Sequence, residues 1–142
     1  MLKKMMKVMV ATIMVITCAT TVSAEENPME AAKQEVVEEL NEFVKDSNDE
    51  IKEMGLDGNN YKIELDPVEE RFDGFELETT VRMTVRGDVY IFQYIFTYDY
   101  EDEEYDGDVI GIYSELDNGW FSVYDDEFFD EVNARYPEVS EN

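Results

Sequence analysis

The hydrophobic and polar positions of this chain keep one period from residue 28 to 54 and another beyond residue 60. Val36, Val37, Leu40, Phe43, Val44, Ile51 and Met54 recur every three or four positions, while Glu35, Glu38, Glu39, Glu42 and Lys45 largely fill the other faces. That is the spacing of an amphipathic helix. Asn27 stands as N-cap, Pro28 at the first helical position, Glu30 where it closes a capping box, and Gly55 just past the end. The spacing therefore predicts a helix over 28–54, about 40 Å long. Ser47 interrupts its apolar stripe.

Beyond Tyr61 the period drops to two. Tyr61, Ile63 and Leu65 alternate with Lys62, Glu64 and Asp66, and Leu77, Thr79, Val81, Met83 and Val85 alternate with Glu76, Glu78, Thr80, Arg82 and Thr84, as half-buried strands do. Turn signals set the expected registers. Phe72-Asp73-Gly74 reads as a three-residue loop with Gly74 left-handed, pairing Arg71 with Phe75, Leu65 with Val81 and Ile63 with Met83. Gly87-Asp88 reads as a two-residue turn pairing Val85 with Tyr90, Met83 with Phe92, Val81 with Tyr94 and Leu77 with Tyr98. Asn118-Gly119 reads as the last turn, setting Leu116 against Phe121 and Ser114 against Val123, with Ile110 and Ile112 on the same side. Asp125 then caps a short helix over 126–135, with Phe128, Phe129 and Val132 on its apolar edge and Pro137 as its stop.

The expected fold is α+β: a long N-terminal helix packed on a five-strand antiparallel meander sheet, with a short C-terminal helix. This outline is similar to the cystatin-like and NTF2-like folds, in which a curled sheet grips a helix. The likeness is one of architecture. The chain carries neither the glycine-bearing inhibitory loop of cystatins nor a family signature, and such folds host many unrelated functions.

The first 24 residues follow a different logic. Lys3, Lys4 and Lys7 precede the short apolar run from Val8 to Ala19, and Val22-Ser23-Ala24 offers a small-x-small cleavage pattern before Glu25. This reads as a signal peptide, 1–24, followed by a single domain, 25–142, that is secreted or held at the cell envelope. The run is too short for a transmembrane anchor, which needs about 20 apolar residues. Val15-Ile16-Thr17-Cys18 has the apolar lead-in of a lipobox, but Thr17 is bulkier than the small residue expected before a lipidated Cys18, so the plain signal peptide is preferred. If cleavage follows Ala24 the mature chain keeps no cysteine and no disulfide.

Three of the eleven basic residues fall in the leader, leaving eight against 36 acidic ones, a net charge of 8 − 36 = −28. Nucleic acid and anionic polymers would be repelled, and a basic protein attracted. The chain has no histidine, which removes the usual general base and most transition-metal sites. Carboxylate pairs for acid and base work are too common among 36 acids to single one out, so no enzymatic activity is expected.

Two constellations remain. Asp102, Glu104, Asp106 and Asp108 mimic the early positions of a calcium loop. Position twelve is Tyr113 instead of a bidentate Glu, and the flanks read as strands, so a flexible connection is preferred to a weak Ca2+ site. Tyr113, Trp120 and Tyr124 share the outer face of the last hairpin, Tyr113 opposite Tyr124, and offer a partner-binding surface unless the C-terminal helix covers them. Two functions follow: an acidic, non-catalytic, exported binding domain that docks a basic protein or envelope partner, or an NTF2-like small-ligand pocket or enzyme using carboxylate and Tyr groups between helix and sheet. Oligomeric state and partner identity have no signature in the sequence, and no cofactor is implied.

Overall fold

The computed structural model describes residues 27–139, so the leader 1–24 and Cys18 lie outside the described residues. Helix α1 (Pro28–Glu53) begins where Asn27 Oδ1 accepts the Met29 amide at 3.0 Å, satisfying a donor that the helix leaves orphaned. At its other end Gly55, at φ +77, lets its own N–H reach the Lys52 carbonyl and the Leu56 N–H reach the Ile51 carbonyl. This Schellman closure turns Leu56 back toward Ile51.

Among the described residues, six strands form one antiparallel sheet: β1 (Tyr61–Leu65), β2 (Glu69–Arg71), β3 (Glu76–Val85), β4 (Asp88–Asp99), β5 (Glu104–Ser114) and β6 (Gly119–Phe121). Their order is β1-β3-β4-β5-β6, and β2 continues the line of β1 along β3. The expected five ribbons are present, with the first broken in two. Helix α2 (Asp126–Arg135) follows, capped by Asp125 Oδ1 accepting the Phe128 amide at 3.0 Å, and a 3-10 turn, Pro137–Val139, ends the described chain.

The registers correct the sequence expectations in detail. Ile63 pairs with Met83 and Leu65 with Val81 as expected, but Arg71 pairs with Glu76. The loop is therefore one residue longer than expected, spanning 72–75. Three residues, Asp66, Pro67 and Val68, then face only Thr79 and Thr80, which restores the register. Pro67 cannot donate to a ladder, so the break falls where a bulge is tolerated.

The β3–β4 turn is Arg86-Gly87, and it sets Met83 against Tyr90, Val81 against Phe92 and Leu77 against Phe96, two residues from the expected pairing. Both turn residues have positive φ, 51° and 81°, as a tight hairpin of native twist requires. Arg86 is held there by two bonds from its guanidinium to Glu138 and by lying over the Tyr136 ring at 5.6 Å. At the last hairpin Ser114 pairs with Gly119 and Ile112 with Phe121, so the loop is 115–118, and Tyr113 faces Trp120, not Tyr124.

Two corrections change a face, the first at Leu116, which was expected inward opposite Phe121 but falls in the 115–118 loop, 54% exposed. The second is at Ile110, which has no partner in the β4–β5 ladder, because Gln93 pairs with Gly111 and Tyr94 with Val109. This bulge turns Val109 inward and leaves Ile110 51% exposed, against its expected place beside Ile112.

The core lies on one face of the sheet. Ala32, Val36, Leu40 and Ile51 of α1 join Ile63, Leu77, Val81, Phe92, Phe96, Val109 and Ile112 in one buried cluster. Helix α1 starts over the 72–75 loop, where Met29 approaches Gly74, and ends beside β1. Helix α2 closes the other end, Phe128 stacking on Phe121 at 4.0 Å between ring centres. Among the described residues no helix is long and apolar enough to cross a membrane.

Candidate functional site

The Schellman closure of α1 has a consequence at the surface. By bringing Leu56 back to Ile51 it leaves a groove of about 500 Å³ between the helix end and β1, lined by Asn48, Ile51, Lys52, Leu56, Gly58, Tyr61, Lys62, Ile63 and Glu64. Its apolar part is Ile51, Leu56 and Ile63. That size lies within the range of small-ligand sites.

The wall of the groove is fixed by Asn48. Its Nδ2 donates to the Ile63 carbonyl at 2.8 Å and its Oδ1 accepts the Ile63 N–H at 2.8 Å. One side-chain amide thus does for β1 what a neighbouring strand would do, covering part of an edge that would otherwise offer unpaired backbone groups. Sequence reasoning did not find Asn48. The polar pair Ser47-Asn48 on a stripe otherwise apolar was the available signal.

Lys52 sets the charge of the groove. Among the described residues Lys33, Lys45, Lys62, Arg71, Arg82, Arg86 and Arg135 each lie within ion-pair distance of a carboxylate. No such partner stands beside Lys52 among the described residues. In a chain with 36 acids, an uncommitted ammonium beside an apolar floor is distinctive. It followed from no sequence pattern, because the commitment of the other cations is made in three dimensions.

A second polar constellation joins α2 to the sheet. Tyr136 Oη donates to Asp88 Oδ2 at 2.6 Å and lies 2.8 Å from Tyr90 Oη, while Arg135 Nη1 donates to Tyr90 Oη at 3.2 Å. Each hydroxyl has one proton, so once Tyr136 gives its own to Asp88 the direction is set: Arg135 to Tyr90, Tyr90 to Tyr136, Tyr136 to Asp88. Arg135 also grips Asp117 with two bonds of 2.7 and 2.6 Å, and Ser114 Oγ donates to Asp117 at 2.7 Å. Arg135 above all holds the Asp117 carboxyl below its usual range, against the upward pull of burial. For Tyr136 burial acts first, with the bonds to Asp88 and Tyr90 adding to it, and its ionisation is pushed far up.

Beside this network Glu138 accepts from Tyr61 Oη at 2.9 Å and from Arg86. Burial would raise the Glu138 carboxyl, but the bonds from Arg86, its own backbone and Tyr61 outweigh it and lower it. Tyr61 therefore links the network to the groove. The protein is an α+β domain with a buried Tyr/Phe cluster and a carboxylate-tyrosine hydrogen-bond network near the helix-sheet interface.

Tyr94 stands apart. Its hydroxyl is buried with no hydrogen-bond partner among the described residues, and burial alone pushes its ionisation up. Neither Tyr94 nor Tyr98 lines the groove.

The residues singled out from the sequence are distributed as follows. Tyr113 and Trp120 face each other across β5 and β6 with ring centres 5.3 Å apart. Trp120 is 60% exposed, and its ring lies over Gly111, where an added Cβ would come within 3.1 Å of it. Tyr124 is 78% exposed and beyond the end of β6, outside this pair.

Asp102 sits in the four-residue turn 100–103, while Glu104, Asp106 and Asp108 lie on β5 at alternate positions. The segment expected as a flexible connection is thus largely strand. Tyr105 and Val109 point inward between the carboxylates and anchor it, Tyr105 donating to the Gly74 carbonyl at 2.5 Å. Alternate strand positions are about 7 Å apart, so these carboxylates do not curl around one point. Among the described residues no group of three or more His, Cys, Asp or Glu side chains is arranged to hold a metal ion.

Compared with protein-family models, with curated proteins and with solved structures, the chain matches none of them.

Proposed function

We propose that this protein is a non-catalytic binding domain whose groove between the end of α1 and β1 takes a small amphipathic ligand with an acidic head. The observation that carries the reading is the uncommitted Lys52 at the rim of an apolar floor made by Ile51, Leu56 and Ile63. The apolar body of the ligand would cover that floor and its head would meet the Lys52 ammonium. The net charge does not forbid this, because charges more than about 8 Å away are largely screened at physiological ionic strength. Asp88, Asp117 and Glu138 are already engaged by tyrosine and arginine, and the chain has no histidine. Both facts support binding over catalysis.

The test is calorimetric titration with dodecanoate and with dodecanol, both below their aggregation limits. Dodecanoate is expected to bind about tenfold more tightly, the worth of one charge-assisted hydrogen bond. Lys52→Gln is expected to abolish that preference while leaving dodecanol binding unchanged. No binding of either probe, or an unchanged preference in the variant, would overturn the reading.

A second reading, docking of a basic protein or envelope partner through Tyr113, Trp120 and Tyr124, is favoured by the exposure of Trp120 and Tyr124. Trp120→Ala is expected to lower recovery of such a partner, and unchanged recovery would count against it. In either role the domain would act outside the cytoplasm, a placement supported by the leader pattern of residues 1–24. N-terminal sequencing of the exported protein, expected to begin at Glu25, tests it.

A further inference from the structure

The end of the sheet that carries the 72–75 and 100–103 loops combines two properties that seldom coincide without use. Phe72 is 74% exposed and Tyr100 66% exposed, and the Phe75 N–H donates to the Phe72 carbonyl at 3.1 Å across the 72–75 loop. Phe75 and Tyr100 are stacked at 6.0 Å with their planes 12° apart, and Tyr98 meets Tyr100 edge-on at 5.0 Å. The rings of Phe75, Tyr98 and Tyr100 thus form an ordered platform, with Phe72 on the same loop as Phe75. The two loops are tied together beneath it, the Tyr98 N–H donating to the Phe75 carbonyl at 2.8 Å.

The same platform is ringed by negative charge. Residues 99–108 hold seven carboxylates and no cation, and among the described residues none of the seven has an ion-pair partner. The Glu104 carboxyl is raised above its usual range, by burial first and then by Asp102, Asp106 and Asp99. Phe72 adds a further oddity, since it stands at φ +54 at the loop tip. A phenylalanine there costs stability and buries little in return, so folding does not account for it.

We propose that this loop end is a docking surface for a cationic, amphipathic peptide segment, in which Lys or Arg side chains lie over the Tyr100 and Phe75 rings and an apolar residue meets Phe72. The chemistry selects this occupant. Aromatic faces attract ammonium and guanidinium groups, and uncompensated carboxylates raise the local concentration of cations. A second copy of this chain, anionic lipid and nucleic acid all carry the wrong sign. The surface is separate from the groove at Lys52 and from the Tyr113–Trp120 pair, and the inference does not depend on either.

The test is fluorescence anisotropy on the full chain, using a labelled peptide of alternating Lys and Leu, its Glu-and-Leu counterpart, and zwitterionic phosphatidylcholine vesicles. The Lys peptide is expected to bind and the Glu peptide and vesicles not. Phe72→Ala with Tyr100→Ala is expected to weaken Lys-peptide binding about tenfold, with an unchanged circular dichroism spectrum, whereas Trp120→Ala leaves it unaltered. Absence of Lys-peptide binding would overturn the proposal. So would equal binding by the double variant, which marks attraction by charge alone, and so would vesicle binding of similar strength, which marks a membrane surface.

Discussion

The two ends of the sheet use the same residue types to opposite effect. At the end with the 86–87 and 115–118 turns, Asp117, Glu138 and Asp88 meet Arg135, Arg86 and Tyr136, and the carboxyls with resolved shifts, Asp117 and Glu138, are lowered. At the end with the 72–75 and 100–103 loops, Asp99, Asp102 and Asp106 surround Glu104, which is raised. The tyrosines divide likewise. Tyr90 and Tyr136 are buried and bonded to each other, whereas Tyr100 stands in solvent. Matched charge at the first end fastens α2 to the sheet; unmatched charge at the second leaves a surface free to meet something else.

The sharpest way to break this contrast is at Arg135. Arg135→Ala removes the cation from Asp117 and the donor from Tyr90 while leaving both partly buried, and is expected to cost about 2 to 3 kcal/mol in urea unfolding. A loss below about 0.5 kcal/mol would mean that the network is ornamental.

A pair of identical chemical changes comes next. Tyr136→Phe strips Asp88 and Tyr90 of a partner and is expected to destabilise by about 1 to 2 kcal/mol. Tyr94→Phe removes a buried hydroxyl that has no partner among the described residues, and is expected to stabilise by about 1 kcal/mol. Thermal melts of the two variants should therefore move in opposite directions. A destabilised Tyr94→Phe would reveal a partner for that hydroxyl.

These contrasts were only partly legible in the sequence. Which residues face inward was readable, because a register error of two or four residues, as at the Arg86-Gly87 and 115–118 turns, returns every side chain to its expected face. Two residues broke that rule: Ile110, because a bulge shifts the alternation by one, and Leu116, which the four-residue shift moves out of the strand into the 115–118 loop. The turn at Arg86 depends on Glu138 and Tyr136, some fifty residues away, and no local preference of arginine announces it. Tyr105 and Val109 were hidden by the acids between them, whose charge suggested a loose loop although their spacing fitted a strand. The groove was least legible, since it arises from a helix cap, an edge-covering amide and a lysine left over when every other described cation is engaged.

Acid titration separates the two ends by sign. Asp117 and Glu138 have lowered carboxyls, so the stability they contribute is present above their ordinary values of 3.8 and 4.5 and is lost as the pH falls through the lowered ones. Glu104 is raised, so its share is present below 4.5 and is lost as the pH rises through its raised value. Stability measured against pH should rise as pH falls from neutrality toward 4.5 and then decline below 3.8. A monotonic fall from neutrality would mean that the loop-end carboxylates do not repel one another in the fold.

The smallest effects belong at the loop end. Asp102→Asn and Glu103→Gln are each expected to stabilise by about 0.3 kcal/mol at low salt and by nothing measurable in 0.5 M NaCl, as screening removes the repulsion. A gain that persists at high salt would point to a local conformational cause.

The groove is tested most directly by following backbone amide NMR signals while dodecanoate is titrated into the protein. The account predicts shifts concentrated at Asn48 to Leu56 and Tyr61 to Glu64, and the same shifts at about tenfold higher dodecanoate concentration in Lys52→Gln. Shifts centred on the Tyr90–Tyr136 network, or none at ligand concentrations up to its aggregation limit, would contradict it.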